Sequence, residues 1–209
     1  MEAFDELLRQ AEIAHGHLCA GQILGVRMAM LACRLLQVDD PRGAERKKLV
    51  TFIEIDRCAT DAIGLVTGCR LGRRALKFRD GGKMAATFLN LSTGKAVRIV
   101  ALENSRELAR ERFPAIENKA RQQSLAYREL TDDELFRVAW VAVDLPPSEM
   151  PGTKGERVTC AQCGEGVNFG RFEIRTEAGA ENGPAGEELR LCRSCADPSL
   201  RYWRAIAAP

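Results

Sequence analysis

The chain has 209 residues, 45% of them apolar and 29% charged, enough to bury a sizeable core in one ordinary domain with room for a small second one. Its 31 basic and 29 acidic residues leave a net charge of only +2, which excludes a global electrostatic drive toward nucleic acid or an anionic membrane. Apolar runs are broken by charge well short of the roughly 18 to 20 residues that span a bilayer. The start "MEAFDELLRQ" is acidic and amphipathic, unlike a signal peptide, so a cytoplasmic protein is expected.

Phe4, Leu7, Leu8 and Ala11 recur at helical spacing within residues 3–13. "GQILGVRMAMLACRLLQV" is too densely apolar for a surface helix and reads as a buried one ending near "DDPRG". "KKLVTFIEI" reads as a strand, "CATDAIGLVTG" as a short helix stopped by glycine, and "RRALKFRD" as a second strand. "KMAATFLNLSTGKAVRIVAL" is a hairpin with its turn at Ser92 to Gly94. Ser105 to Leu130 is charged and helical, kinked or divided by Pro114. Thr131, followed by Asp132, Asp133 and Glu134, predicts a further helix through about Trp140, because an oxygen side chain and early acids satisfy free N–H groups and the helix dipole. "VAVDLPPSEMPGTKGE" collects three prolines and two glycines and marks a linker at 145–157, separating a domain at 1–147 from one at 157–209.

Eight cysteines point to thiol or metal chemistry, since a reducing compartment disfavours structural disulfides. Cys160 and Cys163 form one Cys-x-x-Cys pair and Cys192 and Cys195 another, with 28 residues between them. Two residues between thiolates let one turn hand both sulfurs to a tetrahedral zinc ion, with glycine after the first pair relieving the turn. The surrounding pattern is a strand "VNFGRFEIR", a flexible Gly-rich excursion, a strand "ELRLC" and a final helix "PSLRYWRAIA", as in a treble-clef or ribbon-like finger. A domain this small needs the metal for much of its folding free energy. Its mixed charge suits protein contact or stabilisation better than nucleic-acid binding.

The chain's two histidines lie together in "AHGHLCAGQ", so that His15, His17 and Cys19 occupy alternate positions. In extended backbone alternate side chains share a face, and two imidazoles with one thiolate make a three-ligand set with a fourth position left for water or substrate. A helix starting near Ala20 would point its positive end at Cys19 and favour the thiolate. Cys58 falls at a strand-to-helix junction, where α/β proteins build sites, with Asp61 one turn on. The expected second metal site uses His17, Cys19 and Cys58, with His15 either a fourth ligand or the group that orients the others. Cys33 reads as core, and Cys69 as either core or site.

"HGHLCAGQILGVRMA", "CATDAIGLVTGC" and "DGGKMAATFLNLSTGKAVRI" resemble, in order and spacing, the motif blocks of the FmdE family, named for formylmethanofuran dehydrogenase, over about residues 1–145. The resemblance implies an α+β fold, a mixed β-sheet flanked by helices with a somewhat thioredoxin-like core, followed by a treble-clef zinc finger. It implies a metal-capable pocket formed by His15, His17, Cys19, Cys58 and Asp61, and a homodimer. The chain departs from the family at Ala20, where proline is usual, and at "RLGRRALKF", where the family runs Thr-Pro-Gly-Lys and then Gly-Asn-Leu.

The resemblance implies an accessory to a molybdenum- or tungsten-dependent oxidoreductase of anaerobic one-carbon metabolism. A stand-alone zinc enzyme, with Asp61 as base or orienter, is the alternative. A regulatory nucleic-acid-binding finger is weakest, because near-neutral charge and two tyrosines offer little phosphate neutralisation or base stacking.

Overall fold

The computed structural model describes residues 1–176 and 188–206. It divides into two compact units, Met1–Leu145 and Pro146–Pro209. No helix among the described residues is long and apolar enough to cross a membrane.

The first unit begins with α1 (Phe4–His15), which buries Leu7, Leu8 and Ala11 and stops at Gly16, whose φ of 92° lets its N–H turn back to Glu12 O. α2 (Ala20–Leu35) is buried on most sides, and its Arg27 holds the carbonyls of Tyr127 and Leu130. β1 (Leu49–Ile53) leads through α3 (Cys58–Thr67) to β2 (Leu76–Phe78), which lies parallel to it. β3 (Ala85–Asn90) and β4 (Ala96–Ala101) form the expected hairpin, with Gly94 at φ 71° and Asn90 Oδ1 accepting from Ser92 N.

The charged region contains two helices, α4 (Ser105–Arg112) and α5 (Lys119–Glu129), divided at Pro114. Thr131 makes a full capping box with Glu134, yet the helix it starts, α6 (Asp132–Leu135), is a single turn. The expected continuation to Trp140 is instead strand β5 (Phe136–Val141). Phe136, Val138 and Trp140 alternate at period two, and they pair with Ala101, Ile99 and Val97 of β4. A capping box satisfies N–H groups at a helix start but supplies no apolar stripe to prolong it.

The sheet has the order β2-β1-β3-β4-β5, parallel only between β1 and β2 and therefore mixed. Leu49, Ile53, Ala86, Phe88, Val97 and Ile99 share one core with residues of the flanking helices.

In the second unit, β6 (Val158–Thr159) pairs with β7 (Gly166–Val167), and β8 (Phe172–Thr176) with β9 (Glu188–Cys192). The single strand expected over "VNFGRFEIR" is interrupted where Phe169 and Gly170 take φ of 62° and 64°. The Gly-rich excursion lies at 177–187, outside the described residues. α7 (Arg193–Ala196) follows, then one 3-10 turn at Pro198–Leu200. The expected final helix does not form over 201–206: Tyr202 and Ile206 are 96% and 76% exposed, so no buried face supports it.

Candidate metal centres

The first centre is assembled by three helix ends. α1 delivers His15 in its last turn, Gly16 breaks the helix, and the chain runs through His17 to Cys19, which is the N-cap of α2 in extended conformation. Donor atoms of His15, His17 and Cys19 lie within 4.8 Å of one another, a group that could hold a metal ion. The two rings are 4.9 Å apart. His15 Nδ1 donates to Asp61 Oδ2 at 2.9 Å, which leaves Nε2 as the free donor atom, the carboxylate–histidine arrangement usual at metal sites. His17 is exposed while His15 and Cys19 are half-buried, so the cluster opens to one side.

α3 reaches the cluster because two glycines of α2 admit it. A Cβ on Gly25 would stand 2.8 Å from both Ala59 Cα and Ala62 Cβ, and one on Gly21 would stand 3.3 Å from Cys58 Cβ and 3.7 Å from Cys19 Sγ. Cys58 thus stands beside Cys19, outside the three-donor group. Burial, and then its hydrogen bond with Cys19, pushes its thiol above the ordinary range. All five residues expected in the pocket come together, with His15 in the donor group and Cys58 alongside it.

Cys69 lies elsewhere. It is buried against β1, accepting from Thr51 Oγ1 at 3.4 Å and facing Leu49 O at 3.5 Å, and burial raises its thiol. Cys33 is fully buried in α2, and burial pushes its thiol up to about 12. Sequence reasoning missed Gln22, which is 0% exposed with neither amide atom hydrogen-bonded among the described residues. It also missed the role of Gly21 and Gly25, whose spacing of four was the available signal.

The second centre is the four-cysteine group. Donor atoms of Cys160, Cys163, Cys192 and Cys195 lie within 4.8 Å of one another. Four sulfurs at about 2.3 Å from one tetrahedral centre are about 3.8 Å apart, and Cys163 Sγ is 4.0 Å from Cys192 Sγ. Gly164, at φ 73°, turns its N–H to Cys160 O, and Cys192 N–H points at Cys160 Sγ from 3.3 Å. Burial alone would raise the Cys160 thiol, but the backbone N–H groups of Cys163, Cys192 and Gln162 bring it down to about 6. Cys195, hydrogen-bonded to Cys192 and buried, is pushed up to about 12. Four thiolates this close repel one another unless a cation sits among them, so the donor chemistry fits a metal ion such as zinc.

Residues 14–141 match the profile of a protein family described as FmdE, molybdenum formylmethanofuran dehydrogenase operon. The chain is 32% identical over 179 residues to a probable S-adenosyl-L-methionine-binding protein of Archaeoglobus fulgidus. That alignment covers 76% of this chain and 48% of the other, so the chain spans about half the length of the curated relative it matches. A crystal structure of an FmdE-like protein of tungsten formylmethanofuran dehydrogenase, from Syntrophus aciditrophicus, shares the fold, with a TM-score of 0.58 and 21% identity. The match covers 96% of this chain and 95% of that one.

Proposed function

The chain belongs to the FmdE family, and from that premise we propose that it is a two-site metal protein serving as accessory to a molybdenum- or tungsten-dependent oxidoreductase. In this reading Cys160, Cys163, Cys192 and Cys195 hold a structural zinc. His15, His17 and Cys19 hold a second divalent ion in working position, with Cys58 as an adjacent thiol. The convergence of His15, His17 and Cys19 on an open side, with Asp61 orienting His15, carries the reading. Three protein donors leave a coordination position free, whereas four thiolates close the other site. The link to an oxidoreductase draws its support from the family's description and the name of the structural relative. The same free position favours zinc-dependent catalysis by the chain itself as the second reading.

A reducing, cytoplasmic setting goes with this proposal, because both sites need thiolates. So does a homodimer, supported by β5, which ends the sheet with Val138 and Trp140 37% and 58% exposed. Metal analysis of anaerobically purified protein tests the central claim. We expect two ions per chain, falling to one in His17→Ala. Equal metal content in both proteins, with no zinc uptake by a finger-deficient variant, would sink it.

A further inference from the structure

α2 and α3 bring their positive ends to the same place. A Cβ on Gly21, in the first turn of α2, would stand 3.8 Å from the backbone nitrogen of Ala59 in the first turn of α3. The first N–H groups of a helix have no acceptor within it. Neither α2, of 16 residues, nor α3, of 10, has a side-chain cap. The acid in the first turn of α3, Asp61, is engaged by His15.

Gln22 supplies an independent observation. It is 0% exposed, and its Nε2 and Oε1 find no partner among the described residues. Leaving such a group unsatisfied costs roughly 1–3 kcal/mol. Helical side chains lean toward the helix N-terminus, and a glutamine three residues after the N-cap is placed to reach back to the N-cap backbone. Here the N-cap is Cys19, so Gln22 leans back toward the first turn of α2, at the metal cluster.

We propose that this pocket binds a compact oxyanion against the first turns of α2 and α3, with the Gln22 amide donating to it, beside the ion held by His15, His17 and Cys19. Two helix ends favour negative charge, and the buried amide adds a directed donor that water does not reach. The proposal deepens the open-site reading by naming the class of ligand that the free side accepts.

Formate and inorganic phosphate are the probes, titrated by calorimetry into the full chain with zinc loaded and, in parallel, with the N-terminal site stripped of metal. The two anions separate a carboxylate ligand from a phosphate. Gln22→Met keeps an unbranched side chain of similar length and removes the donor. The expected result is binding of at least one anion by the natural chain and affinity at least tenfold weaker in Gln22→Met, with metal content unchanged. If Gln22→Met fails to fold, Gln22→Glu tests the same contact by placing a carboxylate against the anion, and the same loss is expected. Failure of either anion to bind the natural chain at tens of millimolar, or equal affinity in the variant, would overturn the proposal. The stripped arm keeps it separable: an N-terminal site that takes no zinc defeats the metal reading, while anion binding that depends on Gln22 still stands.

Discussion

Gly25→Ala should loosen the N-terminal metal site while leaving the four-cysteine site intact. A new methyl would stand 2.8 Å from Ala59 Cα and from Ala62 Cβ, closer still to the Ala59 carbonyl oxygen, where ordinary contact begins at 3.4 Å. The helices must therefore part by about 0.6 Å or more, since backbone atoms cannot rotate away. Overpacking of this kind costs about 1–3 kcal/mol, and alanine returns about 0.5–1 kcal/mol through its better helix propensity. A net loss of about 1–2 kcal/mol in the first unit follows. The same displacement takes the 2.9 Å contact between His15 and Asp61 to the limit of a hydrogen bond. Loss of such an orienting partner typically costs about 10–100-fold in metal affinity. Chelator competition on zinc-loaded protein measures the second effect, and the denaturant midpoint of the first unit measures the first. Gly72→Ala is the control, since a Cβ there meets nothing within 4 Å. Natural stability and natural zinc affinity in Gly25→Ala would show that α3 is not held to the site by this contact.

Cys192→Ser should abolish zinc at the four-cysteine site, forfeiting a large part of a binding free energy on the order of 10 kcal/mol; limited proteolysis should then cut from about residue 157 onward while the first unit resists. With metal stripped from the N-terminal site, a thiol reagent under native conditions should modify Cys19, half-buried, before the fully buried Cys33, as mass spectrometry of the peptides reports. Asp132 should make folding acid-sensitive: burial raises its carboxyl, but hydrogen bonds from Arg34 and Arg27 outweigh that and hold it below the ordinary value of 3.8. Its contribution is thus complete above the unfolded value and disappears as pH falls through the lower folded value, so Asp132→Asn should destabilise by about 1–2 kcal/mol at neutral pH and much less in strong acid. Trp140→Lys should turn a dimer into a monomer by light scattering, and equal masses would argue against association along β5.

What the sequence revealed and what it hid follow from the range of the forces involved. The hairpin at Ser92 to Gly94, the break at Pro114 and the two Cys-x-x-Cys pairs are decided within a few residues, by turn geometry, by a missing N–H and by ligand spacing. β5 was hidden because a genuine local signal, the Thr131 capping box, preceded a longer-range one, pairing with β4. The last residues of the finger failed for the related reason that helical spacing without a surface to bury does not make a helix.

The first metal centre was legible in its chemistry and not in its wiring. Alternate spacing of His15, His17 and Cys19 predicted a shared face, and their donors do converge. Which member of the neighbouring block completes the arrangement depends on how closely α3 approaches α2, and Gly25 sets that distance through backbone contact with Ala59, which residue chemistry does not reveal. The consequence is a division of labour between two members of α3: Asp61 reaches His15, whereas Cys58 is left beside Cys19 as a thiol outside the donor group. A site wired this way holds its ion with two imidazoles and one thiolate and keeps a second thiol within reach. That is the arrangement expected where the ion must accept a ligand and not simply brace the fold.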